Sequence, residues 1–447
     1  MFGLSTREVR FALVISGAHL SQHFLMRLIP PLIPVLAVAL EYPLWQLGLL
    51  VSLFSFGSGL AQAPLGVVSD RYDRLYVLPT GIALAGAGYV LFAAASSVGA
   101  VVPALTVAGY TFEGGFLVMG LAMLISGIGA AVVHPAGYPM ITDNVDPDNK
   151  GKVLGAFGSS AKFGDAAAPA IVGVMILVLV WNQVLLILGV VGVVLGILLF
   201  LILRGDEFDT VPAAQRVDDG DGDDESPSET IWQADRRTYM YPLAIVYLFF
   251  VSKMFSGEGI KTFLPAFIVA VYAYSFELMD VYLAPESVAN FYFAALLVFS
   301  GVLQLGVGGV IDRVDTRVVL LGGISLATVG FLSLALLELG PITLMLALCL
   351  AGVGIYGLAP ARDALISDIS PPELEGRTFG YIWTAIMLSG AAMPPLVGYV
   401  METMGMREGF LVLTAGTVVA AGFASLLFFE RFYVTDAQPA TDPTPSD

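Results

Sequence analysis

Cysteine, histidine and lysine are nearly missing from this chain of 447 residues, and each scarcity closes off a class of chemistry. The single cysteine, Cys349, sits inside an apolar run, so there is no disulfide framework and no cysteine-based zinc site. There are three histidines. His19 and His23 have the i, i+4 spacing of metal ligands, but no third ligand is evident, and no metal or other cofactor is expected. Lysine occurs only at 150, 152, 162, 253 and 261, and the net charge is −17. An acidic, lysine-poor exterior fits a high-salt setting, and no nucleic-acid partner is expected. Charge of either sign is scarce, at 13% of residues, where a soluble globular chain carries about 25%. With 57% hydrophobic residues and a mean hydropathy of +0.84, most of this chain has to be solvated by lipid. The first ten residues are too short and polar for a cleavable signal peptide.

What the chain does contain is written twice. Gly127, Gly129, Pro135, Ala136, Ile141, Asp143, Pro147, Gly151, Gly155, Pro169 and Gly173 recur, with no gap, 225 positions later as Gly352, Gly354, Pro360, Ala361, Ile366, Asp368, Pro372, Gly376, Gly380, Pro394 and Gly398. Each copy reads as an apolar helix, a short charged loop and a second apolar helix. A parallel repeat of this kind marks a two-halved membrane protein. With about 20 apolar residues per crossing, spans fall near 9–39, 44–68, 75–97, 115–142, 151–179 and 182–203, then near 239–273, 287–311, 317–338, 342–369, 376–402 and 407–430. The expected fold is therefore an all-α polytopic membrane protein, with twelve transmembrane helices in two pseudo-symmetric six-helix bundles, 1–203 and 239–430. Between them, 204–238 is an acidic linker with too few apolar residues to fold alone, and 431–447 reads as a disordered tail. Basic residues in the loops fall almost all on one side, with Arg407 on the other. By the positive-inside rule both termini and the linker are cytoplasmic, in a multi-pass protein of the cell membrane.

Two loops carry a shared motif. Gly66-Val-Val-Ser-Asp70-Arg71-Tyr-Asp73-Arg74 follows the second span, and Gly308-Gly-Val-Ile-Asp312-Arg313-Val-Asp315-Thr316 follows the eighth. This Gly-x-x-x-Asp-Arg loop resembles the cytoplasmic loop motif of the major facilitator superfamily, and the resemblance covers essentially the whole membrane portion. A glycine at a helix end admits another helix, and the carboxylate can sit at that helix's positive N-terminus. By pseudo-symmetry Asp70 would face the start of the eleventh span near Gly376, and Asp312 the start of the fifth near Gly151. Ordinary capping and positive-inside charge are the alternative. The fifth span, with Gly155, Gly164 and Ala168-Pro169, resembles the superfamily's antiporter motif, although Ala168 and Val172 replace two of its glycines. Three further stretches, His19-Leu-Ser-Gln-His23-Phe24, Gln62-Ala-Pro64-Leu-Gly66 and His134-Pro135, with Leu78-Pro79-Thr-Gly81, look like the fosmidomycin-resistance branch of drug exporters. That branch implies proton-driven efflux of small organic solutes.

Ionisable groups within the spans are the site candidates, because burying one in the bilayer costs about 2.5–3.5 kcal/mol even on lenient scales. The first span places His19, His23 and Arg27 on one face, and the seventh carries Lys253, Glu258 and Lys261. The fifth adds Lys162 and Asp165, and the tenth Arg362 and Asp363. Lys162–Asp165 and Glu258–Lys261 can neutralise each other at i, i+3. Arg362 and Asp363 are adjacent, about 100° apart on a helix, and should not face the same way. Arg27 and Lys253 lack an acid on their own helix. If the first, fourth, seventh and tenth spans line a cavity, as the superfamily resemblance implies, its centre is electropositive and suits an anionic substrate. The alternative is that Arg27 and Lys261 snorkel to the interface. Proton coupling would fall to Asp165 or Glu258, with Asp363 also available and His134 as a relay; a buried histidine bonded to a carbonyl is the bland reading of His134. Gly352-Val-Gly354-Ile-Tyr-Gly357 matches a dinucleotide pattern but lies within a membrane helix, so it reads as packing glycines.

The expectation is a secondary transporter working by alternating access, coupled to protons or, in a high-salt setting, to sodium. Export of a small anionic or amphipathic compound by antiport leads. Symport of an organic anion is the rival, and a polytopic membrane enzyme or sensor is a third reading without a soluble domain or ligand cluster to support it. Replacing Asp70 with Ala should abolish transport and leave a folded, membrane-inserted protein; full transport by that variant would remove the latch role.

Overall fold

The computed structural model describes residues 3–205, 207–212, 239–311, 313–370 and 375–433. Twelve long helical segments follow one another, each at an expected span. α1 runs Thr6–Met26, passes through a 3-10 turn at Pro30–Leu32 and resumes at Ile33–Leu40. α2 is Leu44–Arg71, α3 Arg74–Ala93, α4 Gly114–Ala130 continued by Val133–Asn144, α5 Pro147–Met175 and α6 Trp181–Leu203. In the second half α7 is Tyr241–Val271, α8 Pro285–Ile311 and α9 Thr316–Leu336. There α10 runs Pro341–Gly352, through a π-turn at Val353–Gly357 and on as Ala359–Ile369, before α11 (Glu375–Met404) and α12 (Met406–Leu426). Among the described residues ten of these segments are long and apolar enough to cross a bilayer on composition alone. α5 is as long but more polar, and part of α11 lies outside the residues whose side chains are described.

Proline sets where the helices break. Pro30 and Pro31 form the 3-10 turn of α1, Pro135 follows the break of α4, and Pro360 the break of α10. Pro169 and Pro265 lie inside α5 and α7 without ending them. A proline removes the N–H that the carbonyl four residues earlier would use. In α10 that carbonyl belongs to Tyr356, and Gln304 of α8 supplies the replacement donor at 2.6 Å through Nε2. The second acid of each loop motif is a helix cap: Asp73 Oδ1 accepts from Leu75 N–H at 2.9 Å, and Asp315 Oδ1 from Arg317 N–H at 2.8 Å.

The two halves are pinned together at the end away from the termini. Leu44 N–H donates to Glu402 Oε2 at 3.0 Å, and Asn290 Nδ2 donates to the carbonyl of Pro31 at 3.1 Å. Here α2 and α11 approach backbone to backbone, so that a Cβ on Gly48 would lie 2.5 Å from the Pro394 oxygen. α5 and α8 touch at Gly173 beside Asn290, and again where Lys162 packs on Gly301. Toward the termini, no described atom lies within 4 Å of a Cβ built on Gly155, Gly158, Gly306 or Gly309, so these positions of α5 and α8 border open space.

Two features go beyond the sequence reading. The loops α3–α4 and α7–α8 each hold a β-hairpin, β1 (Leu105–Val107) with β2 (Tyr110–Phe112) and β3 (Phe276–Leu278) with β4 (Val281–Leu283). Their two-residue turns, Ala108-Gly109 and Met279-Asp280, take positive φ at both positions, the twist that suits a tight hairpin. The linker, expected to be solvated throughout, begins docked on the first half. Phe208 is buried against Phe11, Arg7 Nε donates to the Glu207 carbonyl at 2.7 Å, and Asn144 Oδ1 accepts from Asp209 N–H at 2.7 Å. Residues 213–238 of the linker and the tail beyond Tyr433 lie outside the described residues. Gly48→Leu should push α2 from α11 and destabilise the pinned end by about 1–3 kcal/mol. A lower melting temperature, with a longer label-to-label distance between the ends of α2 and α11, is the expected result.

Candidate functional site

The ionisable groups inside the bundle gather around one ion pair between α1 and α5. Arg27 Nε donates to Asp165 Oδ1 at 2.9 Å, and His23 Nδ1 lies 3.1 Å from the same oxygen. Both partners are deeply buried, with side-chain exposures of 14% for Arg27 and 7% for Asp165. Arg27 is thus drawn into the bundle and does not snorkel. The expected Lys162–Asp165 pair gives way to this arrangement. The i, i+3 relation makes two side chains neighbours, but α1 packs along α5 and offers a guanidinium with directed hydrogen bonds that a point-charge ammonium cannot match. Gly164 makes the approach possible, since a Cβ there would lie 2.3 Å from the Leu20 carbonyl.

The second half answers with Lys261 and Glu258 on α7, which pair at 2.5 Å as the spacing predicts. Arg27 is within electrostatic reach of Glu258 and of Tyr356, so the two halves share one field. Lys253 is 8% exposed and sits over the Phe250 ring at 5.5 Å, with the positive charges of Arg362, Lys261 and Lys162 around it. Among the described residues neither Lys162 nor Lys253 has an ion-pair partner. Arg362 does pair with its neighbour, contrary to the expectation from helical angle: Nε lies 2.6 Å from Asp363 Oδ1 and Nη2 3.2 Å from Oδ2. The Arg side chain is long enough to fold back over the 100° between them. Its guanidinium also lies over Phe250, at 5.7 Å. With Arg27–Asp165, Glu258–Lys261 and Arg362–Asp363 neutralised internally, Lys162 and Lys253 leave the interface between the halves positive.

His19 is 4% exposed, stacked on Phe157 at 3.9 Å, with Nδ1 2.7 Å from the Phe157 carbonyl. His134 follows the α4 break, 5.1 Å from the His19 ring and stacked on Tyr138. The loop-motif residues are placed elsewhere. Asp70, Arg71 and Arg313 are exposed at the end that carries the termini. Arg74 is buried and pairs with Asp143 of α4 at 2.6 Å, tying α3 to α4 within the first half. No described atom lies within 4 Å of a Cβ on Gly66 or Gly151. Asp312 lies outside the described residues, as do the surroundings of Gly308 and Gly376.

Sequence reasoning passed over Tyr356. Its hydroxyl is buried without a hydrogen-bond partner among the described residues, within electrostatic reach of Arg27, Asp165 and Glu258. The signal was the tyrosine inside the Gly-rich stretch of α10, where the π-turn aims it at the opposite half. The glycines themselves pack, as expected: a Cβ on Gly354 would lie 2.5 Å from the Gly323 oxygen.

Comparison with known proteins follows the same outline. Residues 15–285 and 277–446 match the model of the Major Facilitator Superfamily. The chain is 24% identical over 406 residues to the "Probable L-galactonate transporter" of Escherichia coli (strain K12), spanning 89% of this chain and 82% of the relative. It is 27% identical over 176 residues to the "Fosmidomycin resistance protein" of the same organism, spanning 38% of this chain and 39% of the relative. Among solved structures, a bacterial homolog to the human lysosomal transporter Spinster, in an inward-facing and occupied conformation, superposes with a TM-score of 0.76 at 15% identity, covering 97% of this chain and 100% of that one.

Asp165→Asn should destabilise the protein by about 3–5 kcal/mol, because it strands a buried guanidinium. The double variant Arg27→Met/Asp165→Asn should recover part of that loss. Thermal unfolding of both in detergent measures the difference, and equal losses would mean that the pair is not coupled.

Proposed function

The chain belongs to the Major Facilitator Superfamily, and we propose from that premise a proton-coupled secondary transporter of a small organic anion. The observation that carries the substrate class is the pair Lys162 and Lys253, which have no ion-pair partner among the described residues while Arg27, Lys261 and Arg362 each do. A carboxylate or phosphonate entering between α5, α7 and α10 would meet Lys253, Arg362, Lys261 and Lys162, with Tyr356 as a neutral donor. Similarity along most of the chain to a transporter named for a sugar acid makes polyhydroxy carboxylates the first solutes to try.

Coupling rests on Asp165 and Glu258. Each carboxylate is held by a cation. In the symport reading, protonating it frees Arg27 or Lys261 for the substrate anion, and deprotonation recaptures the cation and releases the cargo. In antiport the anion itself would displace the carboxylate from its cation and so favour proton uptake there after the anion leaves. Asp363 is more exposed and lies within electrostatic reach of Tyr138 across the interface, a place from which protons could exchange with water. The basic loops support cytoplasmic termini in a cell-membrane protein. With the halves pinned at the other end, the described conformation is then closed to the outside. Asp70 and Asp312 would act as latches when the cytoplasmic ends of the halves close.

Direction has two readings. The small-residue pattern of α5 and the partial similarity to a fosmidomycin-resistance protein support export by antiport. The longer similarity to the L-galactonate transporter supports symport of an organic anion. Proteoliposomes loaded with L-galactonate or fosmidomycin decide between them: acidification of the lumen as solute leaves means antiport, and alkalinisation means symport. Lys253→Met should weaken binding of the transported anion at least tenfold, and unchanged affinity would return Lys253 to a structural role.

A further inference from the structure

We propose that His19, His23 and His134 form a binding site for a divalent transition-metal ion of the zinc class. One nitrogen from each ring lies within 4.8 Å of the other two, and the three rings come from α1 and from the start of the second part of α4. His19 and His23 stand one helical turn apart with ring centroids 4.8 Å from each other, and His134 closes the group from the neighbouring helix.

The tautomers favour ligation. The Phe157 carbonyl can only accept, so His19 Nδ1 carries its proton and a neutral His19 ring presents a lone pair at Nε2. That Nε2 is buried and has no hydrogen-bond partner among the described residues. A buried acceptor left unsatisfied is costly, and a metal ion would supply the missing partner. His23 repeats the arrangement with its Nδ1 on Asp165, leaving Nε2 for a metal. A ligating imidazole whose other nitrogen is held by a carbonyl or a carboxylate is the usual support of a zinc-binding histidine, and here one ring has each kind. Phe157 and Asp165 both lie on α5, so α5 orients the rings that α1 contributes.

Ligand type sets the metal class. Three imidazoles suit zinc, cobalt, nickel or copper and offer nothing to calcium or magnesium, which take oxygen. Ligands held at about 2.0–2.1 Å in a tetrahedron are about 3.3 Å apart. Three protein ligands leave a fourth position for water or an anionic oxygen. Because Asp165 is already matched by Arg27, the ion would keep its charge, and an anion at the fourth position would be drawn to it. The site lies wholly within the first half, so occupancy requires neither closure of the two halves nor a particular direction of transport.

Cobalt titration of the full chain, purified without a polyhistidine tag, tests this. One equivalent of Co²⁺ should produce a saturable visible ligand-field spectrum that Zn²⁺ displaces. His19→Gln, His23→Gln and His134→Gln should each weaken binding at least tenfold, while Cys349→Ser should bind as the parent does. His134→Cys, which keeps a ligand in place, should retain binding and add a thiolate-to-cobalt charge-transfer band that no structural role of His134 would produce. Absence of a saturable spectrum in the parent protein would overturn the site. So would binding that survives all three glutamine substitutions, or substitutions that impair only anion binding in a protein that takes up no metal.

Discussion

The bond between Arg27 and Asp165 is the constraint around which the interior is arranged. Neither group could remain charged in a bilayer alone, and each makes the other tolerable. The pair also fixes which face α1 turns to α5, and from that follow the place of His23 beside the carboxylate, the seating of His19 on Phe157 and the close contact at Gly164. Once Asp165 is committed to Arg27, Lys162 on the same helix is left to the interface between the halves. The positive field there is thus a by-product of a structural bond.

The two halves solve the same electrostatic problem differently. Arg27 and Lys261 occupy matching depths in α1 and α7, but the second finds its acid one turn away on its own helix, whereas the first must reach another helix. A pair within one helix travels with that helix as a unit. A pair between helices can be broken by relative motion, so any change in the charge of Asp165 acts on the packing of the first half, while the corresponding change at Glu258 acts mainly on the side chains around it. The repeat therefore encodes one backbone plan and two kinds of response.

Much of this architecture was legible in the amino-acid sequence. The spans, the repeat and the packing role of the glycines in α10 follow from hydropathy and spacing, which act locally. The pair Glu258–Lys261 was legible for the same reason. What escaped depends on which faces of different helices meet: Asp165 turning to Arg27 and not to Lys162, and His134 arriving as the third member of a histidine group. The Arg362–Asp363 bond escaped because helical angle describes where a side chain starts, and a long arginine need not end there. The hairpins escaped because β1 to β4 are three residues each, and only Ala108-Gly109 hints at a turn.

The prolines have a consequence of their own. Arg27, Asp165, Lys261 and Tyr356 each stand four residues before one, at Pro31, Pro169, Pro265 and Pro360. Each side chain around the shared field therefore belongs to a residue whose own carbonyl has lost its customary helical donor. In Tyr356 a glutamine fills the gap, and in Arg27 the residue before Pro31 is itself a proline, so the next nearest donor is missing as well. Helices bend most easily where a rung of the ladder is absent. The joints of four helices in this molecule are thus set at the same residues that carry its charge and its free hydroxyl. A flex at any of them swings that group directly, with no intervening lever, and a change of ionic partner is felt as a torque on the main chain.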